Sequence, residues 1–428
     1  MDEPRDLPAA EAPARRRGHS FAALRHPGYR VYFVTTALAM MADSIEHVIS
    51  YWMVFQKFHS PALAGFAVIS HWVPFLLFGV WSGALADRYD PRRIIQLGMV
   101  LFMACSATWS LLFLAGWLAT WHAVVILIVH GVASLFWGPA SQVLIHDIVG
   151  PAELPSAVRL GATSRYLGLL AGPAIGGALL LALGPTFGLM VNVLIYLPLT
   201  LWLVAAPYGP RFRKEPIAVA RIRGLDDLVA TLVTVARIRV IAAMTLLTGA
   251  YAFLIGNAYQ AQMPEFARDL GHGDPGLLYS LLLGADAAGA FLAGLVLEGT
   301  GLLAPRQRTA FVLALLWSGM MGAFALAPSY GLALAFLFAA GFLELSFNSM
   351  AQALVQINAP AAVRGRVIGL FGMSAIGLRA FSGLTVGVGG AALGIHASLV
   401  ICAAALFLVI AGLSAFLRRP GASAAGPA

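Results

Sequence analysis

The sequence predicts an all-α integral membrane protein: twelve transmembrane helices in two six-helix bundles around a central cavity. Three observations carry that expectation. Of the 428 residues 60 % are apolar and only 11 % charged, whereas charged residues supply about a quarter of a typical soluble domain. A water-soluble globule is excluded. Apolar runs recur at about 28–56, 61–86, 93–116, 119–147, 157–183, 186–206, 238–263, 276–299, 309–327, 331–356, 366–391 and 396–417, each near the roughly 20 residues a helix needs to cross a bilayer. With the N-terminus inside, all but three of the 27 Lys and Arg residues fall in the two tails, the even-numbered loops or the cytoplasmic halves of the spans that border them. Lys57 and Arg268 fall opposite, and Arg379 lies within a span. Because flanking cations stay on the cytoplasmic side, this asymmetry places both termini in the cytoplasm, and an odd number of spans would scramble it.

The opening stretch, 1–27, mixes Pro, Ala and charge without period, which predicts a disordered cytoplasmic tail. The first bundle is expected over 28–206, a cytoplasmic linker over 207–237, the second bundle over 238–417, and a second tail over 418–428. An internal repeat supports the division. At an offset of 210 residues Gly131, Leu135, Gln142, Leu144, Leu160 and Ser164 meet Gly341, Leu345, Gln352, Leu354, Leu370 and Ser374 without gaps. Parallel repeats of this kind hold substrate between the two halves near mid-membrane.

Several functions drop out. Cys105 and Cys402 stand far apart in apolar stretches, so no disulfide framework or C-x-x-C metal site is predicted. No P-loop for ATP and no H-E-x-x-H or G-x-S-x-G motif occurs, and no enzyme activity or cofactor is expected. The net charge of +8 is accounted for by membrane topology rather than by a nucleic-acid partner.

Between the second and third spans stands Gly83-Ala-Leu-Ala-Asp87-Arg88-Tyr89-Asp90-Pro91-Arg92-Arg93. A carboxylate at a helix end can hold cytoplasmic groups in one conformation and lose them when helices slide apart, which suits a gate latch; arginines that merely set topology are the plainer reading of Arg92 and Arg93. The fifth span carries Gly168, Gly172, Pro173, Gly176 and Gly177, a nearly bare helix face that permits close packing. The first block resembles the G-x-x-x-D-R-x-x-x-R-R loop of the major facilitator superfamily, matched at Gly83, Asp87, Arg88, Arg92 and Arg93. The second copy is retained only as Gly294, Glu298, Arg306 and Arg308. The glycine block is similar to the fifth-helix motif of the superfamily's antiporters, which implies export. The stretch from Pro139 through Asp147, Pro151 and Glu153 to Ala157, and its echo at Pro360, Arg364, Gly365 and Arg366, is similar to loops of the twelve-span drug and siderophore exporters.

Ionisable residues inside membrane spans are costly and mark function by default. Asp43, Glu46 and His47 fall in the first span, His71 in the second, His130 in the fourth, Arg165 in the fifth, Asp286 in the eighth, Glu344 in the tenth and Arg379 in the eleventh. Spans 3, 6, 9 and 12 have none in their middles, as the resemblance implies for outer supporting helices. Asp43, Glu46 and His47 share a helical face; two carboxylates this close in a poorly hydrated space resist ionising together. They are the expected proton-coupling groups, with Asp286 and Glu344. Two other readings stay open: a fixed ion pair with His47 or Arg165, and a divalent transition metal held by two carboxylates and an imidazole. A Glu344–Arg379 pair, with Arg165, Asn348, Trp137 and His130, is the expected substrate-binding set. His71 and His130 taken singly read more simply as helix contacts.

The expected function is a proton-antiporting exporter of small amphipathic organic molecules, acting as a monomer in the inner membrane of a bacterium. A passive facilitator or importer, an exporter of a siderophore, lipid or divalent metal, and a transport-dead receptor or scaffold are the alternatives.

Overall fold

A computed structural model describes residues 21–58, 61–213, 225–271, 277–300 and 303–418. The expected tails up to residue 20 and from 419, and the linker over 214–224, lie outside the described residues. Every regular element among the described residues is helical. Span 1 is Pro27–Phe58, span 2 Pro61–Arg88 and span 3 Pro91–Leu114. Spans 4, 5 and 6 form one helical run, Thr120–Ala205, turned sharply at Gly150 and Gly184. At both turns glycine takes a positive φ, 70° and 71°, and proline follows. Glycine accepts that backbone without a side-chain penalty, and proline is suited to the first turn of the next helix. The stretch 148–156, expected as a loop, is therefore helical on either side of Gly150.

In the second half, span 7 is Arg239–Leu254, broken before the short helices Ala258–Ala261 and Met263–Asp269. Span 8 is Leu277–Thr300, span 9 Gln307–Ala325, span 10 Tyr330–Asn358 and span 12 Ile395–Arg418. Span 11 is discontinuous: an α-helix, Arg364–Ala375, passes into a tighter turn over Gly377–Phe381, a wider one over Gly383–Val388 and a last α-turn, Gly389–Leu393. Glycine-rich sequence permits this, and non-α backbone at membrane depth is tolerated where it is covered by protein or lines a cavity. Nine stretches of the described residues are long and apolar enough to cross a membrane, one of them the triple run from Thr120. With span 1 they make the twelve crossings the sequence predicts. An additional helix, Leu225–Arg237, lies in what was expected to be a plain linker.

The cores lie mainly within each half, with Val80 joining the second-half cluster and Ala353 and Ile368 a first-half one. One is built around Tyr251, Phe266, Trp317, Phe324 and Phe347, and two others around Tyr29, Phe102 and Tyr196 and around Ile45, Ile49 and Trp109. Large apolar side chains are exposed on the outer spans, among them Leu111 and Leu114 in span 3, Leu201 in span 6, Leu316 in span 9 and Leu408 in span 12. In water such a belt would be a liability; here it meets hydrocarbon. The repeat detected in the sequence has a structural meaning. A Cβ on Gly131 would lie 2.0 Å from the main-chain oxygen of Ser70, and one on Gly341 1.9 Å from that of Asp286. The same glycine thus lets span 4 cross span 2 and span 10 cross span 8.

Candidate functional site

Asp43, Glu46 and His47 share one face of span 1, as expected, and that face meets spans 2, 3 and 4. Glu46 is fully buried. Its carboxylate accepts hydrogen bonds from Ser106 Oγ at 2.5 Å and from His130 Nδ1 at 2.9 Å, and Asn192 Nδ2 donates to the same serine. The other nitrogen of His130, Nε2, lies 3.1 Å from Asp43 Oδ1. His47 Nδ1 donates to the main-chain oxygen of Asp43 at 2.7 Å, and the His71 ring packs 5.2 Å from His47 and 5.6 Å from His130, centre to centre. The imidazole that faces both acids is therefore His130, on a helix more than 80 residues away; the expected pairing with His47 is seen for Asp43, whose Oδ2 lies 3.8 Å from His47 Nδ1, and none with Arg165 is seen among the described residues. A small cavity lined by Glu46, His47, Ser50, His71 and His130 adjoins the cluster.

The second half treats its acids differently. Glu344 accepts a hydrogen bond from the hydroxyl of Tyr251, and Asp286 accepts one from Tyr259 at 3.1 Å. The close crossing at Gly341 brings spans 8 and 10 together and makes Asp286 and Glu344 electrostatic neighbours. The expected Glu344–Arg379 ion pair is absent among the described residues, because Tyr251 occupies the carboxylate. Arg379 instead stacks over Tyr251 at 5.6 Å and over Trp72 of span 2 at 5.9 Å, with Nε donating to the oxygen of Ala375. It thereby touches both halves. Arg165 is exposed and makes no hydrogen bond or ion pair among the described residues, although Arg379, Asp43 and Glu344 all act on it electrostatically. Asn348 is half-buried one turn from Glu344, whereas Trp137 is buried in a first-half core beside Phe102.

At the arginine-rich end the halves are latched. Asp87, at the end of span 2, accepts hydrogen bonds from the main-chain nitrogens of Gly365 and Arg366 at 2.5 and 3.0 Å. These are orphan donors at the start of span 11, so a carboxylate from one bundle caps a helix of the other. Gly83 and Gly365 make that approach possible: a Cβ on Gly83 would lie 2.0 Å from the Gly365 oxygen. Glu298 forms a second latch, paired with Arg159 Nη2 at 2.8 Å and hydrogen-bonded to Ser156, so the eroded second motif keeps a working carboxylate. Gln356 Nε2 donates to Gln142 Oε1 at 2.5 Å across the same seam. Arg92 does not cross it; the guanidinium binds Asp90 and the oxygen of Ala206 within the first half. Arg88 and Arg93 are exposed. The glycine face of span 5 packs inside the first half, Gly168 on Met40 and Met41, Gly172 on Ser44 and Gly176 on Ile45 and Val48, while Pro173 is exposed and a Cβ on Gly177 would meet nothing within 4 Å among the described residues.

Sequence reading missed Tyr251 and Tyr259 as partners of the buried acids, Trp72 as a partner of Arg379, and the convergence of His71 and His130 with His47. A lone tyrosine in an apolar span carries no distinguishing signal; the histidines were visible but not their meeting.

A family model described as transmembrane secretion effector matches residues 18–425. Over 160 residues the chain is 24 % identical to the Staphyloferrin A transporter of Staphylococcus aureus (strain NCTC 8325 / PS 47), a match spanning 35 % of this chain and 38 % of that relative. The fold is similar to that of the Escherichia coli fucose:proton symporter, with a TM-score of 0.71 at 14 % identity over 92 % of this chain and 100 % of that one. It is also similar to the human organic anion transporter MFSD10, with a TM-score of 0.70 at 15 % identity over 90 % and 99 % of the two chains. A proton:xylose symporter bound to 6-bromo-6-deoxy-D-glucose gives 0.71 at 16 % identity over 92 % and 96 %. With twelve spans in two latched bundles and a model match running nearly end to end, the chain belongs to the transmembrane secretion effector family of major facilitator superfamily transporters.

Proposed function

We propose that this protein is a proton-driven exporter of small amphipathic organic molecules, working by alternating access as a monomer in the cytoplasmic membrane of a bacterium, with both termini inside. The observation that carries the reading is the group between the bundles: Glu344 and Asp286, each bonded to a tyrosine, beside Arg379 and an Arg165 that has no ion pair among the described residues. A carboxylate that must shed its proton to hold a donor group of the cargo cannot hold both. Proton and cargo then exclude one another, and exclusion at a shared site is what couples antiport. Loading of Glu344 also changes the field at Arg379 and Arg165, and Arg379 is stacked against both halves. With the arginine-rich end taken as cytoplasmic, the latched arrangement is the one closed toward the cytoplasm.

A siderophore is the second reading of the cargo. It is favoured by the stretch shared with the staphyloferrin transporter and by two guanidinium groups that can donate to an oxygen-rich molecule. Reconstitution in liposomes tests both. An imposed pH gradient should drive accumulation of a fluorescent amphipathic dye or a carboxylate siderophore, and collapse of the gradient by an ionophore should abolish it. Transport that ignores the gradient would leave a passive facilitator.

A further inference from the structure

We propose that His47, His71 and His130, together with Asp43, bind a divalent transition-metal ion of the zinc, cobalt and nickel class inside the first bundle. The ligand atoms of the three imidazoles, brought in by spans 1, 2 and 4, lie within 4.8 Å of one another. Their orientation is that of prepared ligands. His130 gives its Nδ1 proton to Glu46, which is in turn held by Ser106, and His47 gives its Nδ1 proton to the main-chain oxygen of Asp43. Both rings then carry their lone pair on Nε2, and a carboxylate behind a histidine is the usual outer support of a metal ligand.

The unsatisfied atoms point the same way. Asp43 Oδ1, His130 Nε2 and His71 Nδ1 are all buried without a hydrogen-bond partner. The first two lie 3.1 Å apart but out of line for a hydrogen bond. Two donors that share an ion at about 2.0–2.2 Å from each are separated by roughly 3–3.5 Å, so this unaligned contact is the edge of a coordination shell. The three imidazole ligand atoms, within 4.8 Å of one another, must draw closer by roughly 1 Å to share an ion, beside a small cavity of about 10 Å³. Three nitrogens and one oxygen suit zinc, cobalt or nickel and not magnesium or calcium, which prefer oxygen shells.

The test uses the full chain, purified in detergent with any polyhistidine tag removed and stripped of metal by a chelator. Calorimetric titration should give one Zn²⁺ per chain, Co²⁺ should bind with the visible spectrum of a low-symmetry nitrogen-rich site, and Mg²⁺ should not compete. His47→Gln and His71→Gln, both at half-buried positions, should each weaken Zn²⁺ binding at least tenfold, as should Glu46→Gln through His130. If His130→Gln fails to fold, the two half-buried variants decide alone. Absence of saturable Zn²⁺ binding, or binding unchanged in the His47→Gln/His71→Gln double variant, overturns the proposal. No gradient or cargo enters the measurement, so its result is independent of the export reading.

Discussion

The two halves descend through the same crossing, yet they settle their buried acids in opposite ways. In the first half Asp43 and Glu46 face an imidazole and a serine from their own bundle, and the cluster lies among the spans of that bundle. In the second, Glu344 and Asp286 lean on neutral tyrosines and lie beside arginines that reach toward the other bundle. On the function proposed above, an acid opposed by an imidazole inside a bundle holds structure or a ligand, and one bonded to a tyrosine hydroxyl where the bundles meet exchanges its proton as they move. The glycine pair Gly131 and Gly341 shows that this difference was laid upon a shared frame, because both do the same steric work.

Several substitutions break or sharpen the contrast. The largest expected effect is on coupling: Glu344→Gln with Asp286→Asn should lower gradient-driven export by about a hundredfold while the protein still binds cargo, since general acid–base positions of this kind contribute ~10²–10⁴-fold. Glu46→Gln should do the reverse. It replaces the charged acceptor of the His130 and Ser106 hydrogen bonds and costs about 1.5–3 kcal/mol of stability, read as a lower thermal midpoint, with coupling retained in the folded fraction. Equal loss of coupling from both substitutions would erase the distinction between the halves.

Next in size is the latch. Asp87→Ala removes a charged cap worth roughly 1.5–3 kcal/mol, so spin labels placed across the arginine-rich end should report a shift of about tenfold or more toward separation. Glu298→Gln should act in the same direction through Arg159. The glycines separate seam from bundle. Gly131→Ala and Gly341→Ala should each destabilise their bundle by ~1–3 kcal/mol through overpacking. Gly365→Ala, whose Cβ would lie 2.2 Å from the Gly83 oxygen, should open the latch instead and leave the melting temperature nearly unchanged. The smallest effect belongs to Ser106→Ala, which removes one hydrogen bond to Glu46 and should cost about 1 kcal/mol.

Much of this was legible in the chain. The number of spans and the 210-residue repeat follow from composition and period, because a bilayer imposes the same length and polarity on every crossing, and the outer position of spans 3, 6, 9 and 12 is what the family resemblance implied. Asp87 could be singled out because its loop is contiguous in sequence. The pairing of Glu46 with His130 could not, since the partners belong to different helices and nothing local specifies which faces meet. That Glu344 and Arg379 act on each other electrostatically but form no close ion pair among the described residues was hidden for the same reason: equal depth in neighbouring spans does not say that a tyrosine from a third helix will arrive first. The break in span 11 lay hidden too, in glycines that an apolar span tolerates whether or not it unwinds.

By itself, then, the sequence determined that the chain is twelve helices in two related bundles with costly charges on the inner ones. Hydrophobic length and charge asymmetry are properties of each segment against lipid and water, and they need no neighbour to be read. Only the tertiary structure decided which charges oppose a base, which lean on a hydroxyl and which stand without an ion pair. Those outcomes depend on contacts a few ångströms long between residues as many as 279 positions apart, and such contacts exist only once the helices have packed.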